Sequence, residues 1–334
     1  MVLAVRMADR VIRQTAAAAA LVLLVSVAAC APYVMPPGTA VRDTAITGFR
    51  YYAADGAELP FRSWLPENRP VTAVIVALHG FNEYSNSFAI PGEYLSRRGI
   101  ALYAYDQRGF GGAPGRGLWA GNDAYARDAA GFAREVRNRH PDIPLYLLGE
   151  SMGGAVVLAA LARDRSLPVD GVILVAPAVW GRSAMPWYQR WLLEGAAHTV
   201  PWLELTGRGL DRSPTDNMGV RRALYLDPQV IKGTRIDTVY GLAGLMDEAL
   251  EQAAGLKLPA LVLYGRYDRI IPPEPLLLML GRMPATTRAA FYEHGYHMLL
   301  RDLHGEKPLL DIIAWIGRHD GPLSYGVPEW RWGE

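Results

Sequence analysis

Gly149-Glu150-Ser151-Met152-Gly153 places a serine between two glycines, the spacing of a sharp turn that exposes a side chain. A serine hydroxyl is a poor nucleophile at neutral pH and needs a base within hydrogen-bond reach. Two later segments carry suitable partners: Tyr264-Gly265-Arg266-Tyr267-Asp268 and Glu293-His294-Gly295-Tyr296-His297. A histidine can take the proton, and a carboxylate can orient the imidazole and stabilise its charged form. This set supports acyl transfer, with Ser151 as nucleophile, His297 as general base and Asp268 as the orienting acid. The developing oxyanion needs donors, each worth roughly 3–4 kcal/mol. Two backbone N–H groups are expected to supply them, Met152 after the nucleophile and Phe81 in His79-Gly80-Phe81.

Other side chains compete for these roles. His294 is the nearest rival to His297, which is preferred because it follows the loop glycine and precedes a helix start. His140 precedes Pro141 on a polar loop, and His198, His304 and His319 have no strand-end context. His79 ends a strand and reads as a residue that shapes its loop. Asp247 and Glu251 lie on a polar helical face and are expected to be solvated.

The elements that must position these groups alternate in type. Ile46 to Tyr52 and Leu59 to Leu65 flank Asp55-Gly56, a hairpin turn signal. Val71 to Leu78, Ile100 to Tyr105, Leu145 to Leu148, Val172 to Val175 and Ala260 to Tyr264 read as strands buried on both faces. Arg288 to Tyr292 is a sixth such strand. Helices are expected over Tyr84 to Arg97, Ala124 to Arg139, Met152 to Arg163, Glu274 to Leu280 and Leu309 to Arg318. Repeated strand–helix units predict an α/β fold with a mostly parallel sheet and helices on both faces. Ser151 then opens a helix, while Asp268 and His297 follow strands at the carboxyl edge of the sheet, where open α/β folds carry function.

The alternation fails over residues 178–256, which show no strand-like run. Four of the nine Trp fall early in this stretch, at Trp180, Trp187, Trp191 and Trp202. The segment reads as a helical cap inserted over the sheet. Trp180, Trp187 and Trp191 are candidates to line an acyl-chain site, with burial in the insertion's own core as the alternative.

The 334 residues are 51% hydrophobic with a formal net charge of +1, enough for a large core and without the basic stripe of a nucleic-acid binder. The single cysteine, Cys30, excludes an intrachain disulfide and a cysteine-based zinc site. Arg6, Arg10 and Arg13 precede an apolar run, Ala16 to Ala31, of about 24 Å as a helix and so shorter than a membrane core. This describes a signal peptide over residues 1–29. Val27-Ala28-Ala29-Cys30 resembles the lipobox of bacterial lipoprotein signals, in which the cysteine becomes the lipid-bearing first residue. Residues 30–44 would then be a tether, and by the same resemblance Ala31 after the cysteine, rather than Asp, implies the outer membrane, on the periplasmic side of the cell envelope. A cleaved signal without lipid and an uncleaved anchor are the alternatives.

Taken together, the motifs resemble the α/β-hydrolase superfamily, and within it the monoacylglycerol lipase/lysophospholipase-like serine hydrolases, which are also serine aminopeptidase S33-like. The resemblance spans roughly residues 45 to 318. His79-Gly80-Phe81-Asn82-Glu83 is similar to that group's H-G-x-x-E loop, with Tyr84 where a histidine is usual. Asp106-Gln107-Arg108-Gly109-Phe110-Gly111 is similar to its D-x-R-G-x-G turn, with Ala113 where a serine commonly follows. The core is expected over residues 45–177 and 257–320, the cap over 178–256, and a tail without assigned role over 321–334. The resemblance implies a serine esterase acting on a small-molecule ester or lipid, with no metal or organic cofactor and no nucleic-acid partner. A peptidase or amidase on the same triad and a non-catalytic envelope-binding lipoprotein are the alternatives. An aspartate would be expected at position 151 in a dehalogenase or epoxide hydrolase.

Overall fold

The structure is a computed structural model that describes residues 14–15, 31–206 and 213–327. The signal-peptide and lipidation expectations, Cys30 included, fall outside these residues, apart from positions 14–15 of the leader, as do Trp330 and Trp332 of the tail. Among the described residues no helix is long and apolar enough to cross a membrane.

Among the described residues, nine strands form one sheet in the order β1-β2-β3-β5-β4-β6-β7-β10-β11. They are β1 (Ala45–Thr47), β2 (Arg50–Tyr52), β3 (Glu58–Trp64), β4 (Ala73–Leu78), β5 (Ile100–Tyr105), β6 (Leu145–Glu150), β7 (Gly171–Val175), β10 (Ala260–Gly265) and β11 (Arg288–Tyr292). From β5 to β11 the neighbours run parallel, whereas β1, β2 and β3 are antiparallel to their neighbours. Every residue of β4, β5, β6, β7 and β10 is buried, which explains their unbroken apolar character.

Helices cover both faces. The chain forms α1 (Ala89–Ser96), α2 (Asn122–Arg139), α3 (Met152–Arg163), α4 (Trp187–Thr199), α5 (Met218–Leu226), α6 (Ile236–Gln252), α7 (Pro273–Arg282) and α8 (Glu306–Gly317). One core cluster joins the sheet to Phe132 of α2, Val156 of α3, Leu250 of α6 and Leu276 of α7. The other joins it to Leu95 of α1 and to Leu309, Ile312 and Trp315 of α8. Burying such a Leu, Ile or Phe contributes about 1.5–3 kcal/mol, so the two faces together hold the sheet rigid beneath the loops at its carboxyl edge.

Several expected elements differ locally. The run Ile46 to Tyr52 divides into β1 and β2 around Gly48, whose φ of 58° suits a reversal that a side-chain-bearing residue resists. The helix expected from Tyr84 begins as a 3-10 turn over Ser85–Phe88 before α1. The stretch 178–256 holds a short antiparallel pair, β8 (Glu204–Thr206) with β9 (Gly233–Arg235). β8 is three residues long and wholly exposed, too short for its alternation to stand out in the sequence. Within the same stretch α6 packs on α3 and buries Ile236, Ala243, Leu245, Met246 and Leu250. That part of the insertion lies against helices of the core, α3 above all.

Residues 31–44 are anchored at three places, one of them the Thr44 hydroxyl, which donates to Glu135 Oε1 of α2 at 2.7 Å. Met35 N–H donates to the Trp119 carbonyl at 2.8 Å, and Val41 N–H donates to the Ala54 carbonyl at 2.8 Å.

Candidate active site

Ser151 stands between the last residue of β6 and the first of α3, with φ 53° and ψ −117°. A serine in this sparsely populated conformation is held there by its surroundings. A Cβ on Gly153 would collide with the Leu78 carbonyl at the end of β4, and one on Gly149 with the backbone of Gly153. Both glycines therefore permit a turn too tight for any side chain. Ser151 N–H donates to the Val175 carbonyl of β7 at 2.9 Å, and its own carbonyl accepts from Ala178 N–H at 2.9 Å and from Gly154 N–H at 2.9 Å. Met152 N–H belongs to the first helical turn, where donors lack intrahelical partners and favour negative charge.

The loop after β4 approaches from the side. A Cβ on Gly80 would lie 3.4 Å from Ser151 Cβ, so the loop runs close beside the Ser151 side chain. His79 is fully buried and neutral in role: its Nε2 accepts from Gln107 N–H at 3.0 Å, which leaves Nδ1 to donate to the Gly80 carbonyl at 2.9 Å. Burial holds its pKa below the ordinary value. Phe81 rests edge-on against Phe110, with ring centroids 5.5 Å apart. Asn82 adopts φ 66°, and its Nδ2 donates to Thr234 Oγ1 of β9 at 2.7 Å. Ile231 N–H donates to the Asn82 carbonyl at 3.0 Å, and Tyr84 OH donates to Asp227 Oδ2 at 2.7 Å. The returning limb of the insertion is thus fastened to the loop that carries Phe81.

Asp268 and His297 meet at the ends of β10 and β11. His297 Nδ1 donates to Asp268 Oδ2 at 2.8 Å, and Asp268 Oδ1 accepts from Ile270 N–H at 2.8 Å and Ile271 N–H at 3.0 Å. The carboxylate is satisfied on both oxygens, so neither is free to swing away. Both side chains are buried. Burial pulls the His297 pKa down, but the Asp268 charge and hydrogen bond, with further contributions from Glu150 and Glu83, leave it above the ordinary value. His294, the competing histidine, is exposed. Asp247 lies apart, paired with the Arg182 guanidinium and backbone at 2.5 Å.

Behind these loops is a buried charge cluster that the sequence did not announce. Arg301 Nη1 and Nη2 donate to the two oxygens of Glu83 at 2.6 and 2.8 Å, and Nη2 also reaches the Glu150 carboxylate at 3.1 Å. Glu83 falls in the H-G-x-x-E motif, but Arg301 lies 218 residues away with no motif around it.

The three tryptophans take different positions. Trp180 is half-buried and packs on the core. Trp187 and Trp191 are 74% and 70% exposed on the outer side of α4, beside exposed Tyr188 and Leu192. The inner side of α4 faces α6 through His198, whose ring meets Tyr240 edge-on, and Ala197 is buried. As placed, Trp187 and Trp191 form an exposed apolar surface on α4. Among the described residues no group of three His, Cys, Asp or Glu side chains could hold a metal ion.

The sheet, its flanking helices and the groups at its carboxyl edge define an α/β hydrolase. The chain belongs to the serine aminopeptidase S33 family, whose model matches residues 69–304. It is 25% identical over 283 residues to the monoacylglycerol lipase of Mycolicibacterium smegmatis, covering 79% of this chain and 94% of that protein. It is 27% identical over 270 residues to the monoglyceride lipase of Rattus norvegicus, covering 79% and 88%. A crystal structure of a soluble variant of monoglyceride lipase from Saccharomyces cerevisiae in complex with a substrate analog superposes with a TM-score of 0.69, at 19% identity, over 87% of this chain and 99% of that one. The chain is a serine hydrolase of this family.

Proposed function

We propose that the protein hydrolyses a single-chain lipid ester, a monoacylglycerol or a lysophospholipid, through an acyl-enzyme on Ser151. The observation that carries this reading is the 2.8 Å hydrogen bond from His297 Nδ1 to a fully satisfied Asp268, at the same sheet edge as the strained Ser151 turn. Asp268 fixes the imidazole so that Nε2 is the free nitrogen and accepts the Ser151 proton. Ser151 Oγ attacks the ester carbonyl, and the N–H groups of Phe81 and Met152 receive the oxyanion. His297 then protonates the departing alcohol, and water activated by the same nitrogen releases the fatty acid.

The lipid substrate is supported by the relatives' names and by the outward apolar surface of α4, which suits contact with a lipid aggregate. Lipidation of Cys30 would hold that surface near a membrane of the cell envelope. Radiolabelled palmitate incorporated by wild type but not by Cys30→Ser tests that anchor.

The test of function is a panel of glycerol, lysophospholipid and p-nitrophenyl esters of rising chain length, with wild type and Ser151→Ala. Hydrolysis rising with acyl length and abolished in Ser151→Ala is the expected result. Turnover that survives in Ser151→Ala removes the nucleophile from its role, and a preference for the shortest acyl groups removes the lipid. The family's aminopeptidase description keeps amide substrates in the panel. Peptide-amide turnover exceeding ester turnover would replace this reading.

A further inference from the structure

We propose that Glu83, Glu150 and Arg301 act as a positioning triad that locks the three loops of the site in register and keeps a net negative charge behind His297. This rests on His297 being the general base. Each member belongs to a different segment of the site: a loop, a strand end and a 3-10 turn. Glu83 is on the loop that carries Phe81, Glu150 immediately precedes Ser151, and Arg301 closes the 3-10 turn Leu299–Arg301 that follows His297. One guanidinium therefore joins all three, by a two-pronged pair to Glu83 at 2.6 and 2.8 Å and contacts of 3.1 and 3.2 Å to Glu150. The Glu83 side chain also reaches the nucleophile's surroundings: a Cβ on Gly80 would sit 3.4 Å from both Glu83 Oε2 and Ser151 Cβ.

A stability role alone explains this poorly. Buried ion pairs are often matched or bettered by apolar residues of similar volume, because desolvation consumes their attraction. Here the cluster is also unbalanced, with two carboxylates against one guanidinium, and among the described residues the Arg301 Nε has no hydrogen-bond partner. An unbalanced buried charge is understandable where a positive charge appears during turnover, and the imidazolium of His297 is such a charge. The groups that face this cluster are consistent with that role. Glu150 feels Arg301, Glu83 and His297, while Glu83 feels Arg301, His79 and His297. Asp302 faces Glu150 as well. Burial pushes Glu150 above the ordinary carboxylate range, with Arg301 pulling against it. For Glu83 burial also pushes up, but its pairing with Arg301 prevails and leaves it below.

The experiment compares wild type, Glu150→Gln and Arg301→Lys on p-nitrophenyl butyrate from pH 4.5 to 9. Competent sites are counted with a fluorophosphonate probe, and melting temperatures are recorded. Glu150→Gln removes a negative charge that favours protonated His297, so the acid-limb midpoint of kcat/KM should move down by about half to one pH unit. Arg301→Lys keeps the charge but loses the planar fork, so the midpoint should stay and kcat per labelled site should fall about tenfold or more, with KM within about twofold. A merely structural cluster would lower melting temperature and labelled fraction without moving the per-site midpoint. An unmoved midpoint in Glu150→Gln overturns the charge role, and wild-type kcat in Arg301→Lys overturns the positioning role. Glu83→Gln carries the same expected shift and replaces Glu150→Gln if that variant does not fold. A wild type that neither labels nor hydrolyses esters defeats the functional reading itself, and this inference with it.

Discussion

Gly265 and Gly295 lie back to back. A Cβ on Gly295 would sit 2.9 Å from Gly265 Cα, and one on Gly265 would collide with the Gly295 carbonyl carbon. This contact, with the Tyr267 N–H to Gly295 carbonyl bond of 2.8 Å, brings the loop of Asp268 against the loop of His297. Gly295→Ala must part the two loops. Overpacking of this kind costs about 1–3 kcal/mol of stability, and misplacement of about 1 Å costs about 100-fold in rate. A drop in kcat/KM near that size, alongside a folded circular dichroism spectrum, is the expected result. Wild-type activity would show that the loops do not need this contact.

Asp268→Asn keeps the shape of the acid but presents an amide where the imidazole N–H now donates. The favoured imidazole tautomer should reverse, leaving a proton on the nitrogen that must receive one from Ser151. A fall in kcat on the order of 10³–10⁴, with KM little changed, follows the pattern of a triad whose acid is neutralised. Steady-state kinetics on one soluble ester measure it. A loss of less than tenfold would assign the orienting role elsewhere.

As the proposed general base, His297 should set the acid limb of the pH profile. Its folded pKa lies above the ordinary imidazole value, despite burial, because Asp268 stabilises the charged form. The base works only when neutral, so kcat/KM should fall about tenfold per pH unit on the acid side, with a midpoint above about 6.5. The same shift acts oppositely on stability. Its contribution is complete below the unfolded pKa and is lost as pH rises through the folded one. A midpoint below 6 would contradict the Asp268–His297 arrangement.

Much of this site was legible before folding was considered. The Ser151 turn is visible because a glycine-flanked serine lies between an apolar strand and an apolar helix, and α3 begins and ends where that pattern does. β5 and β11 likewise occupy the expected ranges. Arg301 was not legible, because an arginine carries no local sign of a partner 218 residues earlier. The exposure of Trp187 and Trp191 was also hidden. Composition says that large apolar groups are present, and only the packing of α4 on α6 decides which side they take. The docking of α6 on α3 has the same origin, since an amphipathic helix looks alike wherever it docks.

Asp302 joins the histidine loop to the insertion, accepting from Thr215 Oγ1 at 2.6 Å and from Tyr296 N–H at 2.7 Å. Burial, opposed by these two hydrogen bonds and reinforced by the charges of Asp216 and Glu150, raises its pKa to about 7. The folded protein then holds a proton that the unfolded chain releases near pH 4, so stability declines as pH rises from about 4 to 7. Asp302→Asn can donate to Thr215 and accept from Tyr296 without titrating. The variant should flatten that decline and exceed wild type in stability by about 2–4 kcal/mol at pH 8. Urea unfolding at pH 5 and pH 8 tests it, and equal slopes in the two proteins would refute it.

Asp311 ties down the chain after α8. It is fully buried, and its Oδ1 accepts from Ser324 N–H at 2.8 Å and Tyr325 N–H at 3.2 Å. Its Oδ2 accepts from Gly326 N–H at 2.7 Å and Tyr292 OH at 2.9 Å. Val327 then pairs with Phe291, covering part of the outer edge of β11 that would otherwise be open to another strand. Asp311→Ala leaves four donors without their acceptor, and each orphaned group costs about 1–3 kcal/mol unless water reaches it. The cheapest relief is release of residues 324–327 into solvent, where those N–H groups are hydrated. The expected loss is therefore about 2–4 kcal/mol rather than the sum. Trypsin cleavage after Arg318 should accelerate at least tenfold, while kcat per fluorophosphonate-labelled site stays within about twofold of wild type. Unchanged cleavage kinetics in a variant of wild-type stability would mean that the tail is held by its strand pairing alone.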